Sequence, residues 1–392
     1  MNRIYLDNNA TTAIDPRVLE EMLPFLQSAY GNPSSMYAMA REARIGVETA
    51  RERIAELLGA DPGEIIFTSC GTESDSTAIW SALRTRPNRR HIITSRVEHP
   101  AVMNLCDYLG KNGYRISYMP VDQNGLPDLD FLHDAMDDDT AIISLMWANN
   151  ETGVLFPVEE MARAARDRGI LFHTDAVQAA GKIPIDLKAG AIDMLSLSGH
   201  KIHAPKGVGV LYVRKGGRFS PFMVGGHQES GRRGGTENVA SIVAMGKAAR
   251  LSLERMEEEN TRVKALRDRL ETGLLERIPH TARNGDAEKR LPNTTNISFK
   301  FIEGEAILLM MDHLNICASS GSACTSGSLE PSHVLRAMDV PYTAAHGSIR
   351  FSLSTHTTDG EIDRVLEAMP PVIDRLRRMS PFWEEAAASR EA

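Results

Sequence analysis

Short apolar runs alternate with longer amphipathic stretches over the first two-thirds of the chain. Residues 64–68, 91–94, 115–119, 140–146, 170–173, 194–197 and 208–213 read as strands, most of them apolar on both faces. Between them the pattern predicts helices. One starts at Asp15-Pro16 and runs through Met22, Leu23 and Phe25. A long one covers 39–58 and is closed by Gly59. Others open at Glu73, within 97–102 and at 158–168. Strands alternating with helices predict an α/β fold whose sheet is mainly parallel and covered on both faces. A long amphipathic stretch, 240–277, is expected as a helix with a break. Strand 295–299, helix 304–312 and a strand pattern over 347–353 follow, making a smaller α+β unit. The expected division is a large domain at 15–258 and a small one made of 1–14 and 259–392.

In parallel sheets ligands sit beyond the carboxyl ends of the strands. Gly71, His99, Asn150, Asp175 and Gln178 all fall just after predicted strands. The turn Ser69-Cys-Gly-Thr72 joins a strand to a helix, the geometry in which free N–H groups and the helix dipole hold a phosphate. Gly71 and Thr72 would be its contacts. On a pyridoxal ring Asp175 would pair with the pyridine N–H, Gln178 and Asn150 would reach the ring oxygen, and His99 would stack. Singly, Asp175 and Asn150 read equally well as caps and His99 as a satisfied core histidine.

Between two apolar runs lies Ser198-Gly-His-Lys201, an irregular polar turn. A lysine enclosed there loses hydration and becomes a nucleophile of the Schiff-base type that pyridoxal phosphate needs; an ordinary surface lysine is the other reading. Arg350 stands inside a strand pattern and calls for an anion, either a substrate carboxylate or an internal carboxylate. The run 225–238, rich in Gly and Arg, reads as a loop suited to anions or to another subunit.

Composition narrows the setting. The 392 residues are 42% hydrophobic and 24% charged, with a net charge of -8, which gives no reason to expect nucleic acid or an anionic membrane as partner. No apolar run approaches the roughly 20 residues that span a bilayer. No basic segment followed by an apolar one opens the chain, so a cytoplasmic location is expected. The four cysteines show no Cys-x-x-Cys spacing, which points away from zinc ribbons and disulfide frameworks. Cys70, Cys106 and Cys317 lie in or beside apolar elements and are expected to be structural. Cys324 stands in a run of Ser, Gly, Ala and Thr over 318–328, expected to be mobile and to expose a thiolate nucleophile.

Together, Tyr5-Leu-Asp-Asn-Asn-Ala-Thr-Thr12, Phe67-Thr-Ser-Cys-Gly-Thr-Glu-Ser74, Glu98-His-Pro100, Asn149-Asn-Glu-Thr-Gly153, His173-Thr-Asp-Ala-Val-Gln178, Ser198-Gly-His-Lys201 and Ser319-Ser-Gly-Ser-Ala-Cys324 resemble the cysteine desulfurases. These are fold-type I pyridoxal-phosphate enzymes of the class V aminotransferase group. The cysteine loop and Met146-Trp-Ala-Asn-Asn-Glu-Thr-Gly153 are most like the nitrogen-fixation branch, which serves nitrogenase clusters. The resemblance implies a seven-stranded sheet and pyridoxal 5'-phosphate as cofactor. It implies that Lys201 holds the cofactor and moves the Cα proton, while His99 stacks and assists. Asp175 would serve the ring nitrogen, and Asn150 and Gln178 the ring oxygen. Thr72, Ser198 and His200 would hold the phosphate with the Gly71 backbone, joined by Thr236 from the second subunit of a homodimer. Arg350 and Asn8 would bind the carboxylate of L-cysteine. Cys324 would take the sulfur as a persulfide, release L-alanine, and pass sulfur to an acceptor such as an iron–sulfur scaffold, with Cys324 as a transient cluster ligand and hence metal-binding. A selenocysteine lyase, another class V aminotransferase and a non-catalytic sulfur carrier are the rival readings.

Overall fold

In the computed structural model, which describes residues 3–320 and 331–383, the chain opens with β1 (Ile4–Tyr5), α1 (Pro16–Gln27) and α2 (Ala38–Leu58). The alternation expected from the apolar pattern follows. It runs β2 (Ile65–Thr68), α3 (Gly71–Thr85), β3 (His91–Ser95), α4 (Pro100–Lys111), β4 (Arg115–Met119), α5 (Leu129–Ala135), β5 (Thr140–Ser144), α6 (Val158–Asp167), β6 (Leu171–Asp175), β7 (Met194–Ser198) and β8 (Gly209–Val213). The remainder holds α7 (Val239–Glu254), α8 (Met256–Glu258), α9 (Lys264–Arg277), β9 (Thr281–Asn284), β10 (Thr294–Phe299), α10 (Gly304–His313), β11 (Ile316–Cys317), α11 (His333–Ala337), α12 (Tyr342–Ala345), β12 (Ser348–Ser352) and α13 (Asp359–Arg378).

The strands β2 to β8 form one seven-stranded sheet in the order β2-β8-β7-β6-β5-β3-β4. Only β8 is reversed, antiparallel to both β7 and β2. The strand β2 therefore runs with the parallel majority, and its carboxyl end lies on the same edge as those of β3, β5, β6 and β7. Successive residues face opposite ways. Phe67, Ile93, Ile143 and Leu195 join α2, α6 and α7 in one core, while Ile66, Ile92, Ile142 and Met194 join α3 and α4 in the other. This two-sided burial makes the strands read as continuous apolar runs.

The second sheet is antiparallel, in the order β12-β10-β9, and shares a separate core with α9, α10 and α13. The chain's first strand, β1, pairs with β11, and Asp7 bridges to Ser352, so the N-terminal segment is tied to this smaller sheet.

Several boundaries differ from expectation for local reasons. The strand expected to reach residue 146 ends at Ser144, because the Met146 N–H donates to the Glu98 carboxylate at 3.0 Å. The long helix breaks at Arg255 and continues through a π turn, Glu259–Val263. There Asn260 Nδ2 donates to the carbonyls of Met256 (2.9 Å) and Lys182 (2.8 Å), a side-chain insertion of the kind that opens a helical ladder. The Gly- and Arg-rich loop does not present free cations. Arg232 donates to the carbonyls of Gly63 and Ile65, and Arg233 binds Glu73. Among the described residues no helix is long and apolar enough to cross a membrane.

Arg51 of α2 reaches that loop and meets Glu229 with two contacts of 2.8 Å, and the same carboxylate accepts from the Phe67 N–H at 3.0 Å. Both partners are buried. Glu229→Ala leaves the buried guanidinium only the exposed Glu48 carboxylate at 3.3 Å as counter-charge and should cost about 3 kcal/mol. Arg250→Ala, which breaks an exposed pair with Glu254, should cost under about 1 kcal/mol. Denaturant unfolding of the two variants checks the contrast.

Candidate active site

Seven segments converge over the carboxyl edge of the large sheet around a cavity of about 350 Å³. Lys201 follows β7 on a 3-10 turn, Gly199–Lys201, beside the buried Ser198. Its Nζ donates to the carbonyls of Asn9 (2.6 Å) and Ala10 (2.7 Å). Burial pushes the amine down to about 8, and the nearby Arg350 and Lys182 charges push the same way. Lys201 is thus the desolvated lysine and not the surface one.

Asp175 is the last residue of β6 and accepts from the Val177 N–H at 2.9 Å. Burial raises its carboxyl, while His99, that N–H and Lys201 pull the other way. Gln178 donates through Nε2 to the Asn9 carbonyl at 3.0 Å, and its Oε1 has no partner among the described residues. His99, readable as a ring-stacking residue or as a satisfied core histidine, is a helix cap that also lines the cavity. Its Nδ1 accepts from the Ala101 N–H at 3.1 Å, capping α4, and its ring lines the cavity. That bond leaves Nε2 as the position for a proton on the neutral ring.

Of the two adjacent asparagines, Asn149 closes the turn. Its Oδ1 accepts from the N–H groups of Glu151 and Thr152, both at 2.9 Å. Asn150 lines the cavity instead. Gly71, Thr72 and Cys70 line it at the start of α3, where first-turn N–H groups have no intrahelical partner. A Cβ at Gly71 would meet Val177 Cγ2 at 3.0 Å. His200 completes that side; its Nδ1 pairs with Thr11 Oγ at 3.1 Å, and burial first, then the Lys201 charge, push it down to about 4.

Arg350 enters from β12. Its guanidinium donates to the Asn150 carbonyl (2.8 Å) and to the Asp7 carboxylate (2.7 Å), while Nε is buried without a partner among the described residues. The internal ion pair exists, and the side chain still faces the cavity.

Other expected residues fall elsewhere. Asn8 does not line this cavity. Its Nδ2 donates to the carbonyls of Ser352 (2.9 Å) and Tyr5 (3.4 Å), because the chain turns there between the two sheets, and its neighbour Asn9 takes the cavity position. Thr236 is exposed and lines a separate hollow with Thr68, Ser69 and Arg233. Cys324 lies outside the described residues. Ser319, just before that segment, is bridged to Arg350. Among the described residues no cluster of three or more His, Cys, Asp or Glu is placed to hold a metal ion. Cys70 is a cavity residue and not a structural one. Cys106 is buried, and burial pushes its thiol up to about 12.

Asp75 escaped notice in the sequence. It lines the cavity almost fully buried, with Oδ1 lacking a hydrogen-bond partner among the described residues and His173 Nε2 3.6 Å away. Burial, and then the Asp175 charge, hold its carboxyl well above the usual range. Its position one turn into α3, after Gly71, was the available signal.

Residues 4–365 match the class-V aminotransferase family. The chain belongs to that family. It is 60% identical over 384 residues to cysteine desulfurase NifS of Azotobacter vinelandii, covering 98% of this chain and 96% of that protein. Among solved structures it is similar to a NifS-like protein, with TM-score 0.90, 39% identity and coverage of 96% and 100%. It also resembles SspA, solved in complex with cysteine, with TM-score 0.80, 34% identity and coverage of 91% and 100%.

These family members are pyridoxal-phosphate enzymes, and the cavity fits that group. It offers an amine, a carboxylate for a ring cation, a helix start for a phosphate, and unpartnered buried atoms on Gln178 and Asp75. With its amine at about 8, Lys201 should capture an added aldehyde cofactor at a rate rising about tenfold per pH unit below 8 and flat above. Borohydride reduction and peptide mapping of the cofactor-free chain would read this, with Lys201→Arg capturing none.

Proposed function

We infer that the chain is a cysteine desulfurase, which takes sulfur from L-cysteine and releases L-alanine. What carries the reading is one observation: a full-length relative of that name accompanies a cavity holding Lys201, Asp175 and His99 together. Bound pyridoxal phosphate supplies an electron sink for the charge left when a substrate Cα proton departs. The residues divide the remaining work. Asp175 keeps a ring nitrogen protonated, Gln178 and Asn150 serve the ring oxygen, and His99 covers the ring face. The start of α3 at Gly71 and Thr72, with Ser198 and His200, holds the phosphate. The Lys201 amine takes the Cα proton and returns one to the product.

Arg350 orients the substrate carboxylate through the guanidinium edge that carries the unpartnered Nε. Asn8 supports this from behind, through the segment that carries Asn9. The Cys324 thiolate attacks the substrate sulfur. An S–S bond forms, the Cβ–S bond breaks, and the carbon side takes up a proton, leaving a persulfide on Cys324. The chain enters that segment from Ser319, beside Arg350, which supports Cys324 as the thiol that meets the substrate.

The working unit in this reading is a homodimer in the cytoplasm, with Thr236 reaching the phosphate of the second copy. The persulfide passes to an iron–sulfur scaffold protein, for nitrogenase clusters among its uses. Cys324 then serves as a transient ligand of the cluster being delivered.

Cys324→Ala should abolish alanine formation from L-cysteine while keeping cofactor absorbance at roughly 390–420 nm. Unchanged alanine output would rule out Cys324 as the thiol that takes the sulfur. Arg350→Ala should lower kcat/KM about 10–100-fold, mostly through KM, as expected for one charged hydrogen-bond partner. Steady-state kinetics with L-cysteine would show it.

A further inference from the structure

Lys182 is a second buried lysine, and nothing above gives it a task. Its Nζ donates to the Gln178 carbonyl at 3.0 Å. Gln178 in turn donates to the Asn9 carbonyl, which also accepts from Lys201 Nζ at 2.6 Å. The two lysines are thus joined through Gln178 and Asn9. They also line one hollow of about 40 Å³ together with Glu259 and Arg255, a space large enough for ordered water. The turn carrying Lys182 is pressed into place by Gly181, at φ +76°, where a Cβ would meet Ile202 Cγ2 and Ser252 Oγ at 3.0 Å. Any side chain there would strain the backbone and press on both neighbours. The Lys182 carbonyl accepts from Asn260 Nδ2 at 2.8 Å, which fixes the backbone from the other side.

We propose that Lys182, facing Glu259 across this hollow, is a positioning residue whose charge keeps the Lys201 amine free of its proton. The proposal rests on the reading of Lys201 as the cofactor lysine. A cation near a second, enclosed amine disfavours protonation there, and low local dielectric strengthens the effect. Glu259 is what allows a buried lysine to stay charged. Burial pushes Lys182 down to about 8 while Glu259 pulls it back, and burial raises Glu259 to about 7 while Lys182 pulls that back. On the cofactor side Lys201 faces Arg350, which adds to the Lys182 effect, and Asp175 and Asp7, which oppose it. On the far side Glu258 raises Glu259, and Arg262 and Arg255 lower it. Asp15 and His203 line the same hollow.

The test uses the full-length chain. Cofactor-free protein is labelled with acetic anhydride across pH, and Lys201 and Lys182 acetylation is read by peptide mass spectrometry. The absorbance of the cofactor-loaded protein is titrated in parallel. Lys182→Met and Lys182→Gln should raise the Lys201 midpoint by about half to one pH unit, a three- to tenfold loss of free amine at neutral pH. Lys182→Arg should keep the original midpoint. A purely structural lysine would lower the melting temperature in all three and leave the midpoint where it was, which overturns the proposal, as would a downward shift. If the neutral variants do not fold, the unsubstituted chain decides. The proposal stands if Lys201 is labelled at a pH no higher than Lys182, and falls if Lys182 loses its proton first. Loaded protein without lysine-bound absorbance would sink the cofactor reading, a result distinct from either labelling outcome.

Discussion

One desolvated amine organises the molecule. Lys201 is half-buried at the cavity wall, and its Nζ donates to the carbonyls of Asn9 and Ala10. Those carbonyls belong to the N-terminal segment, which is tied to the smaller sheet through Asp7 and Ser352. A lysine on the large sheet is therefore solvated by backbone that the small sheet holds in place. Arg350 repeats the arrangement from the other side, donating from β12 to Asn150 on the large sheet's edge and to Asp7. Buried polar groups need partners, and here satisfying them fixes how the two sheets meet.

Beneath the cavity Glu98 meets this constraint through one of its two oxygens. Glu98 is fully buried, and its Oε1 accepts from Ser95 Oγ (2.6 Å) and the Met146 N–H (3.0 Å). Burial pushes its carboxyl up to about 8. It joins the end of β3 to the segment after β5, so it sets the relation between His99 and Asn150. His173 spans three strands in the same way, with Nδ1 on Ser144 Oγ and Nε2 on Ser196 Oγ, both at 2.9 Å. Burial pushes it down to about 3, so it stays neutral and holds the sheet beneath Asp175 and Asp75.

Much of the architecture was legible along the chain. Strands β2 (Ile65–Thr68) and β8 (Gly209–Val213) stand out because burial on both faces leaves a largely apolar signature, and Gly59 closes α2 in the left-handed conformation that glycine favours. The boundary residues were read less well. Asp175 ends β6 where a following turn was expected, and α3 begins at Gly71, before Glu73. Each such position is set by one hydrogen bond, which apolar periodicity does not encode. The choice between Asn8 and Asn9 was equally hidden, since both are polar residues in one turn. Asp75 and Cys70 were missed because a helix start carries no mark of which residues face a ligand.

The order of residues by itself determined the alternation of elements, the parallel sense of the large sheet and the placing of chemistry at the strands' carboxyl ends, since these follow from local periodicity and chirality. The tertiary structure alone decided which polar residues are stripped of water and which charges answer one another. Lys201, Lys182, Asp75 and Arg350 look like many other charged residues in the chain. Their properties arise from burial and from neighbours far away in sequence, and only the packing of the two sheets supplies those.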